Sequence, residues 1–444
     1  MNGMEMAFEE WKTYAQKKAL KPRAFDMESV ISNSRLKIIG ITGVRRAGKS
    51  SMLIMLQQKL LKKGENAAYV NLEDSRIKNS KTVLDDIVKW FGDQGFLLLD
   101  EITSVHNWEG WLARNHELLK GRLHLIVSSS RKRLAVPTKP LRGRMLSYEL
   151  YPLSFKEFLD FRGIEVEHTT AGTGKVEKAL NEYLVYGGFP EIVLIGDKTD
   201  KTRLLNSYFK DIIGLDVAEM SGESITTVEL FGKYVIEAVY FSASKCLNFF
   251  KGLGYKIGKE SILDLEKYSQ DGYLFFFVPI FSHTIKDRLQ YPRKAYMGDT
   301  GFMYAISGKT DMGRLFENTV LLELKRRTPQ QHDIHYWKNK EGFEMDFVIR
   351  EGLAIKEIIQ VAYEFENEKT KNREVRGLVA CAKEAGLKHG LIITKDLEDI
   401  ETVDKIKVQF IPLWKWLMKK RKDPVLSRNT GTRPSVSDKY LIRI

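Results

Sequence analysis

The sequence predicts an α/β protein whose first part is a parallel, doubly wound sheet, with further domains behind it. Three observations carry that expectation. Short apolar runs alternate with helical patterns over the first 130 residues or so. One of those runs opens directly into a glycine-rich loop and then a helix at 36–61. Another ends in two adjacent carboxylates, Asp100 and Glu101. At 444 residues the chain exceeds a single core, and two to four domains of ~100–200 residues are expected.

The first strand is LKIIGIT at 36–42, followed at once by GVRRAGKS at 43–50 and the helical pattern SMLIMLQQKLLKKG, which stops at Gly64. Strand, glycine loop and helix are the context that a G-x-x-x-x-G-K-[ST] match requires. Gly43 and Gly48 permit the tight turn that aims successive N–H groups at a β-phosphate, and the helix start adds its positive end. The binding segment is therefore Gly43, Val44, Arg45, Arg46, Ala47, Gly48, Lys49, Ser50 and Ser51. Lys49 is expected to reach the β- and γ-phosphates of ATP, and Ser50 to offer its hydroxyl to Mg²⁺. Arg45 and Arg46 face either the nucleotide or protein carboxylates.

AAYVNLED at 67–74 and FLLLDE at 96–101 supply the next strands. Four apolar residues deliver Asp100, suited to Mg²⁺, and Glu101, suited to polarising an attacking water. After the helical stretch WEGWLARNHELLKG comes LHLIVSSS at 123–130, whose serines could place a hydroxyl near the γ-phosphate, with Ser129 as the sensor candidate. Serine's ordinary preference for turns is the competing reading.

The series GITGVRRAGKS, YVNLEDSR, LLLDEITSVHNWEGWL, SSS, LRGRMLSYELYPLSFKEFL and YLVYGGFPEIV resembles an AAA+-type archaeal and bacterial ATPase family with a C-terminal domain of unknown function similar to PD-(D/E)XK nucleases. The likeness spans roughly 36–417. It implies Walker A at 43–50, Walker B at Asp100 and Glu101, and a sensor within 128–130, where most relatives have Thr-Gly-Ser-Ser and this chain has Val127-Ser128-Ser129-Ser130. By analogy Arg144 is an arginine-finger candidate acting between subunits of a homo-oligomer, with Arg142 the competing choice. The implied organisation is an AAA+ P-loop core at 1–165, a helical lid at 166–222, a winged-helix domain at 223–305, a nuclease-like domain at 306–422 and a polar tail at 423–444.

The residues themselves support the winged helix-turn-helix. TTVELFGKYVIEAVYF, SKCLNFFKGLG and KESILDLEKYSQDG are helical patterns with stops at Gly252, Gly254 and Gly272, and the apolar strands YLFFFVPIFS and RKAYMGDTGF follow. Ser244 is the expected N-cap of the second helix, and 259–267 the recognition helix. That helix is balanced in charge, so DNA and a protein partner both remain open.

In the nuclease-like part, Glu317 and Asp346 match the first two acids of the resembled site. Where E-x-K is needed the chain has Gln360, Val361 and Ala362, lacking both carboxylate and lysine. Loss of both groups removes metal affinity and water activation, so cleavage is not expected. Trp414 and Trp416 are expected to pack the last helix.

Composition sets the outer bounds. With 43% hydrophobic and 29% charged residues the chain is not disordered or collagen-like. Two cysteines, Cys246 and Cys381, exclude a disulfide framework or a Cys-rich zinc site. No apolar run reaches the ~18–20 residues that span a bilayer, and acidic residues stand where a signal peptide has its apolar core; a soluble cytoplasmic protein without a membrane partner is expected. The net charge of +13, partly clustered in the acid-free stretch 118–148 and in KKRK at 419–422, favours a polyanion such as nucleic acid, with DNA the expected partner. The leading expectation is a Mg²⁺-dependent ATP hydrolase that moves its appended modules on DNA. The alternatives are an ATP-dependent binding switch with negligible turnover and, disfavoured by Gln360 and Ala362, an endonuclease.

Overall fold

A computed structural model describes residues 3–419 apart from 135–138, 168, 283, 329–331, 353 and 366; the tail at 423–444 lies outside the described residues. The described residues up to Thr328, with Ile334–Tyr336, form one compact unit, and the rest form a second.

Two helices that no sequence pattern announced, α1 (Gly3–Lys17) and α2 (Met27–Ser34), precede the sheet. Then follow β1 (Ile38–Thr42), α3 (Lys49–Lys62), β2 (Ala67–Asn71), α4 (Val83–Phe91), β3 (Gly95–Asp100), α5 (Trp108–Leu118), β4 (Leu123–Ser129) and β5 (Met145–Glu149). The five strands are all parallel in the order β2-β3-β4-β1-β5. Because side chains alternate across a strand, each strand feeds two cores. Leu97, Leu99, Leu125 and Val127 pack on one face with Phe8, Ile87 and Trp111. Ile39, Ile41, Leu98 and Ile126 pack on the other with Val30, Leu53 and Leu56. Helices on both faces of a parallel sheet place a ligand site at the strand C-termini.

The chain continues through α6 (Phe155–Arg162), α7 (Thr170–Tyr186), α8 (Pro190–Leu194) and α9 (Lys198–Ile212), then a π-helical turn at Ile213–Ala218 and α10 (Glu219–Ser221). Next come α11 (Ile225–Glu237), β6 (Tyr240–Phe241), α12 (Ala243–Gly252), α13 (Lys259–Asp271), β7 (Phe275–Val278), α14 (Ile285–Gln290) and β8 (Arg293–Met297). Strands β6, β8 and β7 form a small antiparallel sheet in that order. The expected N-cap at Ser244 is corrected to Ser242, because the helix begins at Ala243 and Ser244 falls in its first turn.

α15 (Gly301–Ser307) and α16 (Met312–Arg327) also belong to the first unit. Asn318 of α16 ties both backbone groups of Met297, at 2.7 and 3.0 Å, and Arg326 donates to the Pro152 carbonyl at 2.9 Å. These bonds hold α16 to the first unit, so that unit extends to Thr328, past the 305/306 boundary expected from sequence.

The second unit carries a six-stranded sheet in the order β13-β14-β12-β11-β10-β9. Its elements are β9 (His332–Lys338, of which Ile334–Tyr336 count with the first unit), β10 (Glu344–Glu351), β11 (Ala354–Ala362), α17 (Glu368–Glu384), β12 (His389–Thr394), β13 (Asp399–Val403), β14 (Ile406–Pro412) and α18 (Leu413–Met418). β11, β12 and β14 run parallel, whereas β10 and β13 pair antiparallel. Trp416 is fully buried in α18. Among the described residues no helix is long and apolar enough to cross a membrane. Cys246 and Cys381 are both buried free thiols.

Candidate functional site

The loop from Gly43 to Gly48 joins β1 to α3 with a backbone that only particular residues tolerate. Gly43 has φ 151°, and a Cβ there would lie 2.0 Å from the Leu150 carbonyl oxygen. Gly48 adopts φ 98° as the N-cap of α3 and offers no side-chain cap, so the first-turn amides are left for an anion. Even Arg46 is left-handed, at φ 67°. Val44 and Ala47 are buried, anchoring the loop against the core.

Lys49 is buried and folds back over this loop, donating to the carbonyls of Gly43 at 3.0 Å and Val44 at 3.2 Å. Its ammonium is 3.6 Å from the Glu101 carboxylate. Ser50 and Ser51 sit in the first turn of α3. The end of β3 brings Asp100 and Glu101 to the same place. Both oxygens of buried Asp100 are held by hydroxyls: Tyr69 donates at 2.8 Å to one, and Ser128 to the other. Burial and then the neighbouring Glu101 push the Asp100 carboxyl above its ordinary range, against the Ser128, Ser50 and Tyr69 hydroxyls. Glu101 adopts φ 52° and accepts the Ser130 amide at 3.0 Å.

The serines closing β4 divide the work. Ser128 bridges Asp100 and the Glu101 amide, the latter at 3.1 Å. Ser129, the sensor candidate, bonds the Thr103 hydroxyl at 2.8 Å and accepts the Arg131 amide at 3.0 Å. Ser130 donates to Asp216 at 3.1 Å. Arg144, just ahead of β5, is half-exposed and pairs with Glu117 at 3.3 Å; Arg142 is exposed.

The two loop arginines face protein carboxylates. Arg45 reaches Asp216 of the π-helical turn at 2.8 Å and Glu73 at 3.8 Å. Arg46 pairs with Asp211 at 3.5 Å and lies 5.3 Å above the Tyr208 ring. Burial opposes charge on Arg45, but Asp216 outweighs it and raises the guanidinium pKa.

Several groups here carried no local sequence signal. Arg23, between α1 and α2, forms a buried pair with Glu157 at 2.6 Å and donates to the Ala47 carbonyl at 2.8 Å and the Tyr151 carbonyl at 3.0 Å. Glu157 also closes the capping box with Ser154. Burial pushes Glu157 up, yet Arg23 and the backbone donors leave it below its usual value. On the other flank, Tyr273 bonds Thr42 at the end of β1 (2.8 Å) and Glu149 at the end of β5 (2.9 Å).

The nuclease-like positions have the following partners. Glu317 belongs to the first unit, where it meets Lys294 at 3.1 Å and the Tyr296 hydroxyl at 2.5 Å. In the second unit Asp346 accepts the Val361 amide at 2.9 Å, while Gln360 accepts the Asp346 amide at 3.1 Å and donates to Glu374 at 2.7 Å. Among the described residues no cluster of three or more His, Cys, Asp or Glu side chains is arranged to hold a metal.

Comparison with known proteins bears on the first unit most. Residues 35–159 match the family model described as an AAA domain. Residues 177–313 and 312–416 match two models described as domains of unknown function (DUF8612 and DUF4143). The uncharacterized protein MJ1544 of Methanocaldococcus jannaschii is 34% identical over 407 residues, covering 88% of this chain and 90% of that protein. An uncharacterized protein of Haemophilus influenzae is 27% identical over 341 residues, covering 73% of this chain and 82% of its own length. Among solved structures, AMPPCP-bound DnaA from Aquifex aeolicus aligns at 13% identity and a TM-score of 0.28, over 58% of this chain and 96% of that one. The chain belongs to the family of the M. jannaschii protein and carries an AAA domain.

Proposed function

We propose that this AAA-domain protein is an ATP hydrolase whose nucleotide state moves its appended modules. The observation that carries the proposal is the convergence of Lys49, Asp100 and Glu101 on an uncapped glycine loop. The loop amides and Lys49 would hold and neutralise the phosphates, with Lys49 exchanging its carbonyl partners for phosphate oxygens. Glu101, oriented by the Ser130 amide, would hold the water that attacks the γ-phosphorus in line; the β–γ bridging oxygen leaves with ADP, and inorganic phosphate forms. The buried Asp100 carboxylate beside the Ser50 hydroxyl is the donor set a Mg²⁺ ion fits. When bound there, the ion would neutralise developing phosphate charge.

Purified chain should release phosphate from ATP, and Lys49→Ala should lose at least about a hundredfold of that rate. Equal rates for the two proteins would overturn the proposal. Arg144 is offered as a group supplied to a neighbouring copy; activity per chain should then rise with protein concentration and be lost in Arg144→Ala.

The segment α11–β8 has the helix and strand order of a winged helix, and we take DNA as its partner. Lys245, Lys251, Lys256, Lys259 and Lys267 are all exposed on and around α12 and α13, cations of the kind that meet a phosphate backbone. Stimulation of turnover by DNA, weakening with salt, is the expected result. The second unit is read as a nuclease-like fold that does not cut, because Gln360 stands where a metal-binding carboxylate is required.

A further inference from the structure

The nucleotide reading leaves one buried acid unexplained. Asp216 lies in the π-helical turn and is only 2% exposed. Both of its oxygens are taken by segments that face the phosphate site. One meets Arg45 of the glycine loop at 2.8 Å. The other accepts Ser130, from the end of β4, at 3.1 Å, with Arg131 Nε at 4.0 Å. Arg131 also donates to the Leu215 carbonyl at 3.2 Å and pairs with Glu219, so the turn is clamped on both sides of Asp216.

A guanidinium and a hydroxyl converging on two oxygens is the donor set a phosphoryl group takes as readily as a carboxylate does. Arg45 is carried by the loop that cradles phosphate. It also lies near Glu73, at 3.8 Å, which leaves it a second anion to lean on when it swings. Burial raises the Asp216 carboxyl above its ordinary range, and Arg45, then Lys49 and the Ser130 hydroxyl, oppose that and favour its charged form. The π-helical turn packs against α9, α11 and α13. Such turns sacrifice backbone geometry and recur at functional sites.

We propose that Asp216 is an internal anion that holds Arg45 in the nucleotide-free protein and yields it to the terminal phosphate of a bound nucleoside triphosphate. Binding then releases the turn at Ile213–Ala218 from the glycine loop, and the release passes to α11 and α13. Asp216 is thus a positioning residue rather than a catalytic one. The inference rests on the nucleotide reading and specifies what ATP must displace. ADP lacks the competing phosphate and leaves the pair in place.

The test compares affinities of the full chain for a non-hydrolysable ATP analogue and for ADP. Asp216→Asn keeps the shape but surrenders the charge, so the analogue should bind about tenfold tighter while ADP changes by less than about twofold. In an Arg45→Gln background the same substitution should leave the ratio unchanged. A merely structural role predicts something else: lower thermal stability and equal loss for both nucleotides, which would overturn the inference. Arg45→Gln alone gives an independent check, since it should erase about tenfold of preference for the triphosphate while ADP still binds; an unchanged preference would also overturn it. Wild-type protein that binds neither nucleotide would instead defeat the ATP reading itself.

Discussion

Two acidic clusters in this chain have similar composition and different partners. At the end of β3, Asp100 and Glu101 face a lysine, an uncapped helix start and three hydroxyls. In the second unit, Asp346 and Glu374 face an amide, Gln360, which accepts from one residue's backbone and donates to the other's carboxylate. In the first cluster Lys49 donates to two loop carbonyls, bonds that a phosphate would replace under the proposed function. In the second, Glu374 is held by Gln360 and by Arg373 at 2.7 Å, and Asp346 by the Val361 amide. Neighbouring carboxylates therefore do not by themselves make a metal site; what stands opposite them decides.

The strongest way to break this comparison is Glu101→Gln. The isosteric amide keeps the Ser130 contact but no longer polarises water, so turnover should fall about 10²–10³-fold, or about 3–4 kcal/mol of barrier, while nucleotide still binds. Phosphate release and binding measured together check it. Retained turnover would show that the two clusters differ less than their partners suggest.

A pH series separates the units at the level of stability. Burial pushes Asp299 of the first unit up to about 7, although the Gly188 and Gly301 amides donate to it. A carboxyl whose folded pKa lies above its unfolded value of 3.8 adds stability that is complete below that value and declines as pH climbs through 7. The first unit should lose on the order of 2 kcal/mol between pH 5 and pH 8, and Asp299→Asn should flatten the slope. Melting curves with no slope between those pH values, in the wild type, would contradict the burial argument.

Gln360→Glu attacks the second cluster directly. It would set a third carboxylate beside Asp346 and Glu374, costing about 1–2 kcal/mol by like-charge repulsion. Added Mn²⁺ should recover that loss in the variant and leave the wild type unmoved. A variant as stable as the wild type, with no response to the ion, would mean that the amide is not what separates this site from a metal centre.

Much of the first cluster is legible from the chain alone because its geometry is local. Gly43, Gly48, Lys49 and Ser50 lie within eight consecutive positions, and their roles follow from one strand-to-helix turn. Asp100 and Glu101 are found for the same reason, at the end of an unbroken apolar strand. The residues that escaped are those whose partners lie far along the chain. Arg23 meets Glu157 across 134 positions, Arg45 meets Asp216 across 171, and Tyr273 meets Thr42 across 231. No periodicity encodes such pairings, since each depends on how separate segments pack. The extension of the first unit to Thr328 was hidden similarly, because α16 is held by Asn318 and Arg326 bonding backbone groups of distant segments.

Tyr69→Phe is the finest probe of the contrast. Tyr69 stands on β2, paired beside β3, and its hydroxyl orients one Asp100 oxygen while Ser128 orients the other. Burial and the adjacent Asp100 carboxylate raise the phenol far above its ordinary range, so it stays a donor at any working pH. Phenylalanine keeps the ring, including its edge contact with Trp11 at 6.0 Å, and deletes the hydroxyl that meets Asp100 and Ser50. The loss should be about 1 kcal/mol, read as a roughly fivefold rise in the Mg²⁺ concentration for half-maximal turnover with little change in melting temperature. The two clusters then differ in a measurable way: removing one hydroxyl loosens Asp100 without dismantling the fold, because Ser128 still holds the carboxylate toward the glycine loop. If melting temperature falls and the Mg²⁺ requirement does not move, the tyrosine belongs to the packing of β2 and the orientation of Asp100 comes from Ser128 alone.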